Sequence, residues 1–439
     1  GSGHHPRSST MKALRVGIAG LGTVGASVAR IIVEQGEALS ARCGRRLELK
    51  AVSARNKSKD RGFGMAGVEW FDDPVTLARS APVDLFVELM GGEGDPAKAC
   101  VEAALQRGVP VVTANKALLA HHGVALANAA ESKDLALNFE AAVAGGIPII
   151  KALREGLGAN RISRVYGILN GTCNYILTTM EASGRSFEDV LAEAQKLGYA
   201  EADPTFDIGG MDTAHKLSLL AAVAFSNAPA LDGIHVEGIE RITPLDIKFA
   251  HEFGFRIKLL GLATRTANGI EQRVHPAMVP LGTPLADVDG VFNAVVAEGD
   301  LVGKSVYEGR GAGAGPTASA VMADVLDIAR GVRLPAFGSP ASRIQRPKIV
   351  PISEHSGACY LRFTVIDRPG VIAVLSRCLA DQAISIESML QRSRSPGGAV
   401  PVVMITHEAE ESAMAKALSA VVATGIVMEQ PCMVRIERF

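Results

Sequence analysis

A run of acidic residues that leads to one lysine is the part of this sequence most suited to chemistry. Between positions 198 and 216 the chain carries four carboxylates and then one ammonium group: Glu201, Asp203, Asp207, Asp212 and Lys216. A proline follows Asp203, and two glycines stand at 209 and 210, so most of this segment is predicted to be a loop. Such a loop suits a polar pocket for a small amino acid, because carboxylates bind its cationic amino group.

The lysine lies on a helix that is predicted to begin near Asp212. Residues 217–225 are apolar nearly all round, which is typical of a buried helix. Asp212 and Lys216 are four residues apart and share one helix face. A buried lysine is costly unless it is paired or has a function, since its charge loses hydration. The pair is therefore either a structural ion pair or part of an active site.

A glycine motif near the N terminus predicts a dinucleotide site. The apolar run 14–19 is followed at once by Gly20-Leu21-Gly22-Thr23-Val24-Gly25, and residues 26–33 then have a helical pattern. In a dinucleotide-binding fold the first glycine permits a tight turn and the second lets the pyrophosphate approach. The third allows close helix–strand packing, and the helix N–H groups face the phosphates. This context predicts that the motif binds NAD(P).

The residues after the second strand indicate which dinucleotide is bound. Residues 47–53 are predicted to form this strand, and NAD-preferring sites usually place an acid at its end. Here Arg55 and Lys57 follow instead. Cations at this point favour a cofactor that carries a 2′-phosphate, which is NADPH. NADH is the second candidate cofactor. The alternative is that both are solvated loop charges.

Two further buried parallel strands, 83–89 and 109–113, end in turns that could face the ligand. The first is followed by Gly91, and the second ends at Thr113 and is followed by Lys116. Ligands of such sheets bind outside the carboxyl ends of the strands. Lys116 is therefore expected close to the cofactor.

The composition limits the classes of function. The 439 residues predict two or three domains, and a net charge of −1 argues against nucleic-acid partners. We find no apolar run near the roughly 20 residues that span a bilayer. The six cysteines form no CxxC pair, which favours reduced thiols in a cytoplasm, and the histidines show no metal spacing. Residues 1–10 are expected to be a vector remnant.

The remainder of the chain predicts a middle sheet domain and a small C-terminal domain. A glycine-rich loop at 309–317 is expected to return the chain to the nucleotide domain, and its Gly313 and Gly315 are expected to bring backbone N–H groups to the cofactor. After a linker, the pattern βαββαβ indicates a ferredoxin-like fold. The fold class is therefore α/β with a Rossmann domain, and the active site is expected between that domain and the middle one.

Together the motifs resemble the monofunctional homoserine dehydrogenase family with a C-terminal ACT domain, over nearly all of residues 11–439. The resemblance rests on the glycine motif and on four further stretches: Thr-Ala-Asn-Lys at 113–116, Glu-Ala-Ala-Val-Ala-Gly-Gly-Ile-Pro at 140–148, Ile-Leu-Asn-Gly-Thr-Cys-Asn-Tyr at 168–175, and 198–216. It implies a Rossmann domain at 11–138 with a return segment at 307–330, and an α+β substrate and dimerisation domain at 139–306. A linker at 331–350 and an ACT domain at 351–439 would follow.

The resemblance also implies the reaction and the roles of the site residues. The family reversibly reduces L-aspartate 4-semialdehyde to L-homoserine in threonine, methionine and isoleucine synthesis. Lys216 would protonate the forming alkoxide, and Lys116 would lie beside the nicotinamide and share that role or orient the substrate. Asp212 would support the lysines. The substrate-binding residues would be Glu201, Asp207, Asn170, Gly171 and Thr172.

Three further expectations come from the resemblance. A sodium ion would be held by the backbone carbonyls of Val143, Gly145 and Ile147. The first ACT turn, Asp367-Arg368-Pro369-Gly370-Val371, would bind an amino acid such as threonine, although residues 384–387 lack the asparagine of many ACT domains. The assembly would be a homodimer or homotetramer. The alternatives are a regulatory protein without turnover and a related semialdehyde dehydrogenase.

Overall fold

A computed structural model describes residues 12–439. The predicted vector remnant at 1–10 lies outside these residues. Within them, no helix combines the length and the apolar character needed to cross a membrane.

The first domain is a parallel sheet covered by helices. Its strands lie in the order β3-β2-β1-β4-β5-β6, which is the order of a Rossmann fold and confirms that prediction. Helix α11 (Ala314–Ala329), which comes much later in the chain, returns and packs on α1. The elements in chain order are β1 (Leu14–Ala19), α1 (Thr23–Cys43), β2 (Leu47–Ser53), β3 (Glu69–Phe71), α2 (Pro74–Ser80), β4 (Leu85–Glu88), α3 (Ala97–Gln106), β5 (Val111–Thr113), α4 (Lys116–Glu131) and β6 (Leu137–Asn138).

The middle domain packs helices on a largely antiparallel sheet. Strands β12, β11, β7, β9 and β10 are neighbours in that order, and α9 packs against β7 and β9. Its elements are α5 (Ile149–Lys151), β7 (Ile162–Ile168), α6 (Gly171–Ser183), α7 (Phe187–Lys196), α8 (Thr205–Ile208), α9 (Met211–Phe225), β8 (His235–Val236), α10 (Pro244–Glu252), β9 (Phe255–Thr266), β10 (Gly269–Pro280), β11 (Phe292–Gly299) and β12 (Gly303–Arg310).

The C-terminal domain has the predicted βαββαβ order. Its strands lie in the order β18-β14-β16-β15, with two helices on one face, and the fold class is confirmed. Its last strand, β18, begins at Cys432. The elements are β13 (Ser356–Gly357), β14 (Cys359–Ile366), α12 (Val371–Ala380), β15 (Ile386–Leu390), β16 (Ala399–Thr406), β17 (Ala409–Glu410), α13 (Glu411–Ala423) and β18 (Cys432–Ile436).

The C-terminal sheet is continuous with the sheet of the middle domain. Strand β18 runs parallel to β10, with Ala277 opposite Arg435, and so joins both sheets into one of ten strands. Glu437 forms an ion pair with buried Arg273, and the ring of Phe439 stacks on Tyr166 with centroids 4.3 Å apart. The sequence predicted a domain attached by a linker, but its last strand belongs to both sheets.

The predicted linker is a packed segment rather than a free connection. Phe337 in its centre is fully buried, and its ring lies 5.3 Å from that of Phe139. A Cβ on Gly123 of α4 would come 2.8 Å from the same ring, so a glycine makes room for it. The predicted linker is therefore packed against α4 and the residues that follow β6.

Candidate active site

One buried carboxylate joins two lysines that come from different domains. Asp212 Oδ2 lies 2.8 Å from Lys216 Nζ, one turn along α9, and Asp212 Oδ1 lies 3.0 Å from Lys116 Nζ at the start of α4. The aspartate is 5% exposed. Burial alone would raise its pKa, but the two ammonium groups and hydrogen bonds from Lys216 and Asn170 lower the pKa far below its usual range. Asp212 is therefore ionised at any working pH.

The position of Lys116 follows from the packing of α4 on α9, where the nucleotide and middle domains meet. Asn115 caps α4 by accepting a hydrogen bond from the Leu118 N–H, and its amide donates to the Gly92 carbonyl at 2.6 Å. This places Lys116 beside the turn after β4. The Lys116 ammonium also lies 5.7 Å from the centre of the Phe206 ring, which is a cation–π contact between the two domains.

Asn170 organises the polar groups around Asp212. It caps α6 through its side-chain oxygen, and its amide donates to Asp207 at 2.8 Å and to Asp212 at 2.9 Å. Burial and the charge of Asp212 raise the pKa of Asp207, while the bond from Asn170 opposes this rise. Lys216 also donates to the Leu169 carbonyl at 2.8 Å. Two carboxylates and two ammonium groups therefore share one hydrogen-bonded cluster.

The glycine motif borders a cavity of about 760 Å³ at the carboxyl ends of β1, β2 and β4. Gly20 has φ +98°, and a Cβ there would lie 2.6 Å from the Leu89 carbonyl oxygen. A Cβ on Gly22 would meet nothing within 4 Å and would project into open space. Helix α1 begins with no side-chain cap and no acid in its first turn, so its N–H groups remain free for an anion. The site fits a dinucleotide pyrophosphate, with Thr23 and Val24 in this first turn and Gly25 against Gly20.

The cations around this cavity differ in part from those expected. Arg55 and Gly91 line it as predicted, whereas Lys57 is not among the lining residues. Lys59 and Arg61 line it instead, and the Arg61 guanidinium lies 5.4 Å from the ring of Trp70. Sequence reasoning missed both, although the alternating basic residues at 55, 57, 59 and 61 were a signal that the basic stretch continued.

Glu88 is a second residue that sequence reasoning missed. It is fully buried at the end of β4, where it accepts the Met90 N–H at 2.7 Å and the Gly91 N–H at 3.0 Å. The Thr113 hydroxyl donates to it at 2.9 Å. The Glu88 carboxylate therefore links the turns after β4 and β5 through hydrogen bonds. Thr113 contributes to this link by donating its hydroxyl to Glu88. The signal was an acid at the end of an apolar strand.

Other predicted residues lie near the cluster without joining it. Glu201 is exposed, and its backbone carbonyl accepts from Gln195 Nε2 at 3.0 Å. The Thr172 hydroxyl donates to the Tyr199 carbonyl at 2.7 Å, so it supports the loop before Glu201. At Gly171 a Cβ would come 2.8 Å from the Val291 carbonyl oxygen.

Comparison with known proteins decides the family. A family model described as homoserine dehydrogenase matches residues 148–326, and one described as its NAD binding domain matches 20–140. The homoserine dehydrogenase of Neisseria gonorrhoeae is 43% identical over 433 residues, which cover 97% of this chain and 99% of the relative. The chain belongs to the homoserine dehydrogenase family. It is an NAD(P)-dependent oxidoreductase that acts on a CH–OH group.

Solved structures of homoserine dehydrogenases support the same family assignment. The homoserine dehydrogenase structure from Thiobacillus denitrificans superposes on this chain with a TM-score of 0.90 at 42% identity. The match covers 97% of this chain and 98% of that chain. A hyperthermophilic archaeal homoserine dehydrogenase in complex with NADPH gives 0.62 at 28% identity, over 72% of this chain and 97% of that one. An ACT domain model matches residues 360–423.

The carbonyls expected to hold sodium lie in a buried turn before α5. Val143 and Gly145 are buried, and among the described residues neither carbonyl accepts a hydrogen bond, whereas Ile147 O accepts the Ile149 N–H at 2.8 Å. Unpaired buried carbonyls are suitable ligands for a hard cation. Gly313 and Gly315 lie in a loop beside this turn, since Gly146 N donates to Arg310 O just before that loop. Neither glycine is among the residues that line the nucleotide cavity.

The expected regulatory turn of the ACT domain borders a cavity of about 510 Å³. Asp367, Arg368, Gly370 and Val371 all line it, together with Gln391, Ser393 and Arg394. Asp367 accepts the Ser395 N–H at 2.7 Å, and Gly370 has φ +88° at the start of α12. The turn is therefore tied to the segment 395–398 by the hydrogen bonds of Asp367.

Proposed function

We propose that this protein reversibly reduces L-aspartate 4-semialdehyde to L-homoserine with NADPH, in the synthesis of threonine, methionine and isoleucine. The observation that carries the proposal is the buried Asp212, which holds a lysine from each domain at the domain boundary. The nucleotide cavity lies on one side of this boundary and the acidic loop on the other. A substrate between them would meet the cofactor and both ammonium groups.

Lys216 is proposed as the acid that protonates the forming alkoxide. A bound nicotinamide supplies the hydride, and the aldehyde oxygen then gains negative charge. An ammonium group beside that oxygen stabilises the charge and donates the proton. Lys216 is fixed by Asp212 and by Leu169 O, and only 12% of its side chain is exposed. Lys116, with 29% exposed, would orient the carbonyl beside the cofactor.

Carboxylates at the other end of the pocket would bind the substrate amino group. Asp207 is proposed for this role because it is held by Asn170 and lies beside the cluster. Glu201 lies on the adjacent exposed loop and would add a second carboxylate when substrate is bound. Gly171 and Thr172, at the start of α6, would shape the same end of the pocket.

A preference for NADPH is proposed from the basic residues at the end of β2. Arg55, Lys59 and Arg61 line the cavity where the adenosine ribose would lie. Guanidinium groups bind phosphate through paired hydrogen bonds, so a 2′-phosphate gains contacts that a 2′-hydroxyl does not.

We further propose sodium at the carbonyls of Val143, Gly145 and Ile147, and threonine as an effector of the ACT domain. The assembly is proposed to be a homodimer or homotetramer in the cytoplasm. Sodium is supported by the unpaired carbonyls, and the effector by the cavity at Asp367. No catalytic step requires either of them.

The decisive experiment is an assay of homoserine-dependent NADP⁺ reduction, followed at 340 nm. We expect turnover with L-homoserine, and slower or no turnover with L-serine or L-threonine. A well-folded protein that binds NADPH but does not turn over homoserine would contradict the proposal and favour a regulatory protein. A faster reaction with another amino alcohol would identify a different semialdehyde as the substrate.

A further inference from the structure

Glu88 is a fully buried acid that the reaction proposed above does not use. It ends β4, and among the described residues no cation forms an ion pair with it. A buried carboxylate without a counter-charge costs free energy unless hydrogen bonds replace its lost hydration. The N–H groups of Met90 and Gly91 and the hydroxyl of Thr113 supply these bonds. All three neighbours donate, so Glu88 acts only as an acceptor.

The hydrogen bonds of Glu88 belong to a closed ring. The Thr113 hydroxyl, which donates to Glu88, also accepts the Asn115 N–H at 3.0 Å. The Asn115 side-chain amide donates to the Gly92 carbonyl at 2.6 Å, in the turn whose N–H groups Glu88 binds. Glu88, Thr113 and Asn115 are all buried, so water does not compete for these bonds. The ring therefore connects the turn after β4 with the start of α4.

One side of the ring borders the nucleotide cavity. The turn at residues 89–92, called the cofactor turn below, contributes Leu89, Met90 and Gly91 to the lining of that cavity. The cofactor turn also packs on the glycine motif, since a Cβ on Gly20 would lie 2.6 Å from the Leu89 carbonyl oxygen and 3.0 Å from the Met90 nitrogen. A dinucleotide at the glycine motif would therefore press on the turn that Glu88 holds.

The other side of the ring carries Lys116. This lysine directly follows Asn115, which caps α4 by accepting the Leu118 N–H at 3.0 Å. Its ammonium lies 3.0 Å from Asp212. The cap residue determines where a helix begins, because it fixes the entry of the chain into the first turn. A shift of Asn115 therefore moves Lys116 relative to the nucleotide cavity and to Asp212.

We propose that Glu88 is a positioning residue that fixes the distance between the bound dinucleotide and Lys116. One oxygen of its carboxylate binds the cofactor turn, and the other binds the start of α4 through Thr113. Glu88 contacts neither cofactor nor substrate and acts only through Lys116. The consequence for turnover rests on the role proposed for Lys116, whereas the mechanical link between the cofactor turn and α4 does not.

Glu88→Gln and Thr113→Val each break the link at one point. Glutamine keeps the shape of the side chain, but its amide donates, so it can accept from the cofactor turn or from Thr113 and not from both. Valine keeps the branched shape of Thr113 and removes the hydroxyl. Glu131→Gln is the matched control, because Glu131 also accepts a backbone N–H, that of Ala341 at 2.9 Å, at the far end of α4.

The link itself is tested without turnover, by hydrogen–deuterium exchange of the full-length protein with and without saturating NADPH. In the native protein and in Glu131→Gln, we expect NADPH to slow exchange both in the cofactor turn and in residues 115–119 of α4. In Glu88→Gln and Thr113→Val, the cofactor turn should still be protected, and the protection of residues 115–119 should be lost. Protection of both segments in both variants, or of the cofactor turn alone in the native protein, overturns the proposal.

The kinetic test is a double-mutant cycle with Lys116→Ala. Glu88→Gln should lower kcat for homoserine oxidation roughly 10- to 100-fold, since a misplacement of about 1 Å at a reacting group can cost that much. In the Lys116→Ala background the same substitution should cause little further loss, because its effect passes through the lysine. An equal loss in both backgrounds, which a merely structural role would give, overturns the proposal. If exchange shows the link but the protein does not oxidise homoserine, the link is retained and the proposed function fails.

Discussion

Replacing Lys216 tests which ammonium group protonates the substrate. Its Nζ lies 2.8 Å from Asp212 and 2.8 Å from the Leu169 carbonyl, so two of its three N–H groups are used and one remains for the substrate. General acid catalysis by a positioned group contributes roughly 10²–10⁴-fold. We therefore expect Lys216→Ala to lower kcat by roughly 10²–10⁴-fold, which is about 3–5 kcal/mol of barrier.

The assay compares kcat for homoserine oxidation with the Kd for NADPH, measured by fluorescence titration. Lys216 lies on α9 in the middle domain, so NADPH binding should be unchanged in Lys216→Ala. Added methylamine should restore part of the activity in proportion to its concentration, since it replaces the lost amine as the proton acceptor. Lys116→Ala is the matched comparison, because it removes the other ammonium group from the same carboxylate.

The reasoning is refuted if Lys216→Ala retains kcat within threefold of the native enzyme. It is also refuted if methylamine restores Lys116→Ala and not Lys216→Ala, because Lys116 would then be the proton donor. A loss of NADPH binding together with kcat would instead indicate that the lysine holds the two domains together.

Three other changes have expected outcomes. Arg61→Ala should weaken NADPH binding by roughly tenfold or more and NADH binding little, since a hydrogen bond to a charged group is worth roughly 1.5–3 kcal/mol; equal weakening of both in fluorescence titrations would count against a 2′-phosphate role. Gln195→Ala should raise the KM for homoserine with little change in kcat, because its amide holds the backbone of Glu201; the effect should vanish in a Glu201→Gln background, and an equal effect in both backgrounds would show another cause. Burial raises the pKa of Glu140 to about 7, above its ordinary 4.5, so the folded state holds an extra proton between these values and stability falls as pH rises through them. Glu140→Gln should remove this loss of about 3 kcal/mol, measured by urea unfolding at pH 5 and pH 8, and an unchanged pH dependence would disprove it.

The nucleotide domain could be predicted from the sequence because its signals are local. The strand, glycine motif and helix at 14–43 are contiguous, and the conformation of Gly20 follows from its own turn. The same holds for α9, whose predicted start near Asp212 agrees with Met211. Periodicity and turn chemistry are sufficient wherever an element is determined by its own residues.

Contacts between distant segments could not be predicted in the same way. Asn170 and Asp212 are 42 residues apart, and nothing in either segment specifies their hydrogen bond. The pairing of β18 with β10 likewise depends on how two domains meet, so the pattern βαββαβ was recognised while the shared sheet was not. Lys59 and Arg61 were missed because the alternation of basic residues in a loop does not determine which of them line the cavity.

The sharing of Asp212 would let the cluster favour the transition state of the proposed reaction. In the free enzyme two ammonium groups face one buried carboxylate that both of them contact, so each ammonium has less than one full counter-charge. Asp207, whose pKa is raised by burial and by Asp212, compensates only in part. In the proposed reaction, an alkoxide that forms beside the lysines would supply the missing negative charge when the hydride is transferred. The interaction is therefore stronger in the transition state than with the neutral aldehyde, which is the condition for it to accelerate the reaction.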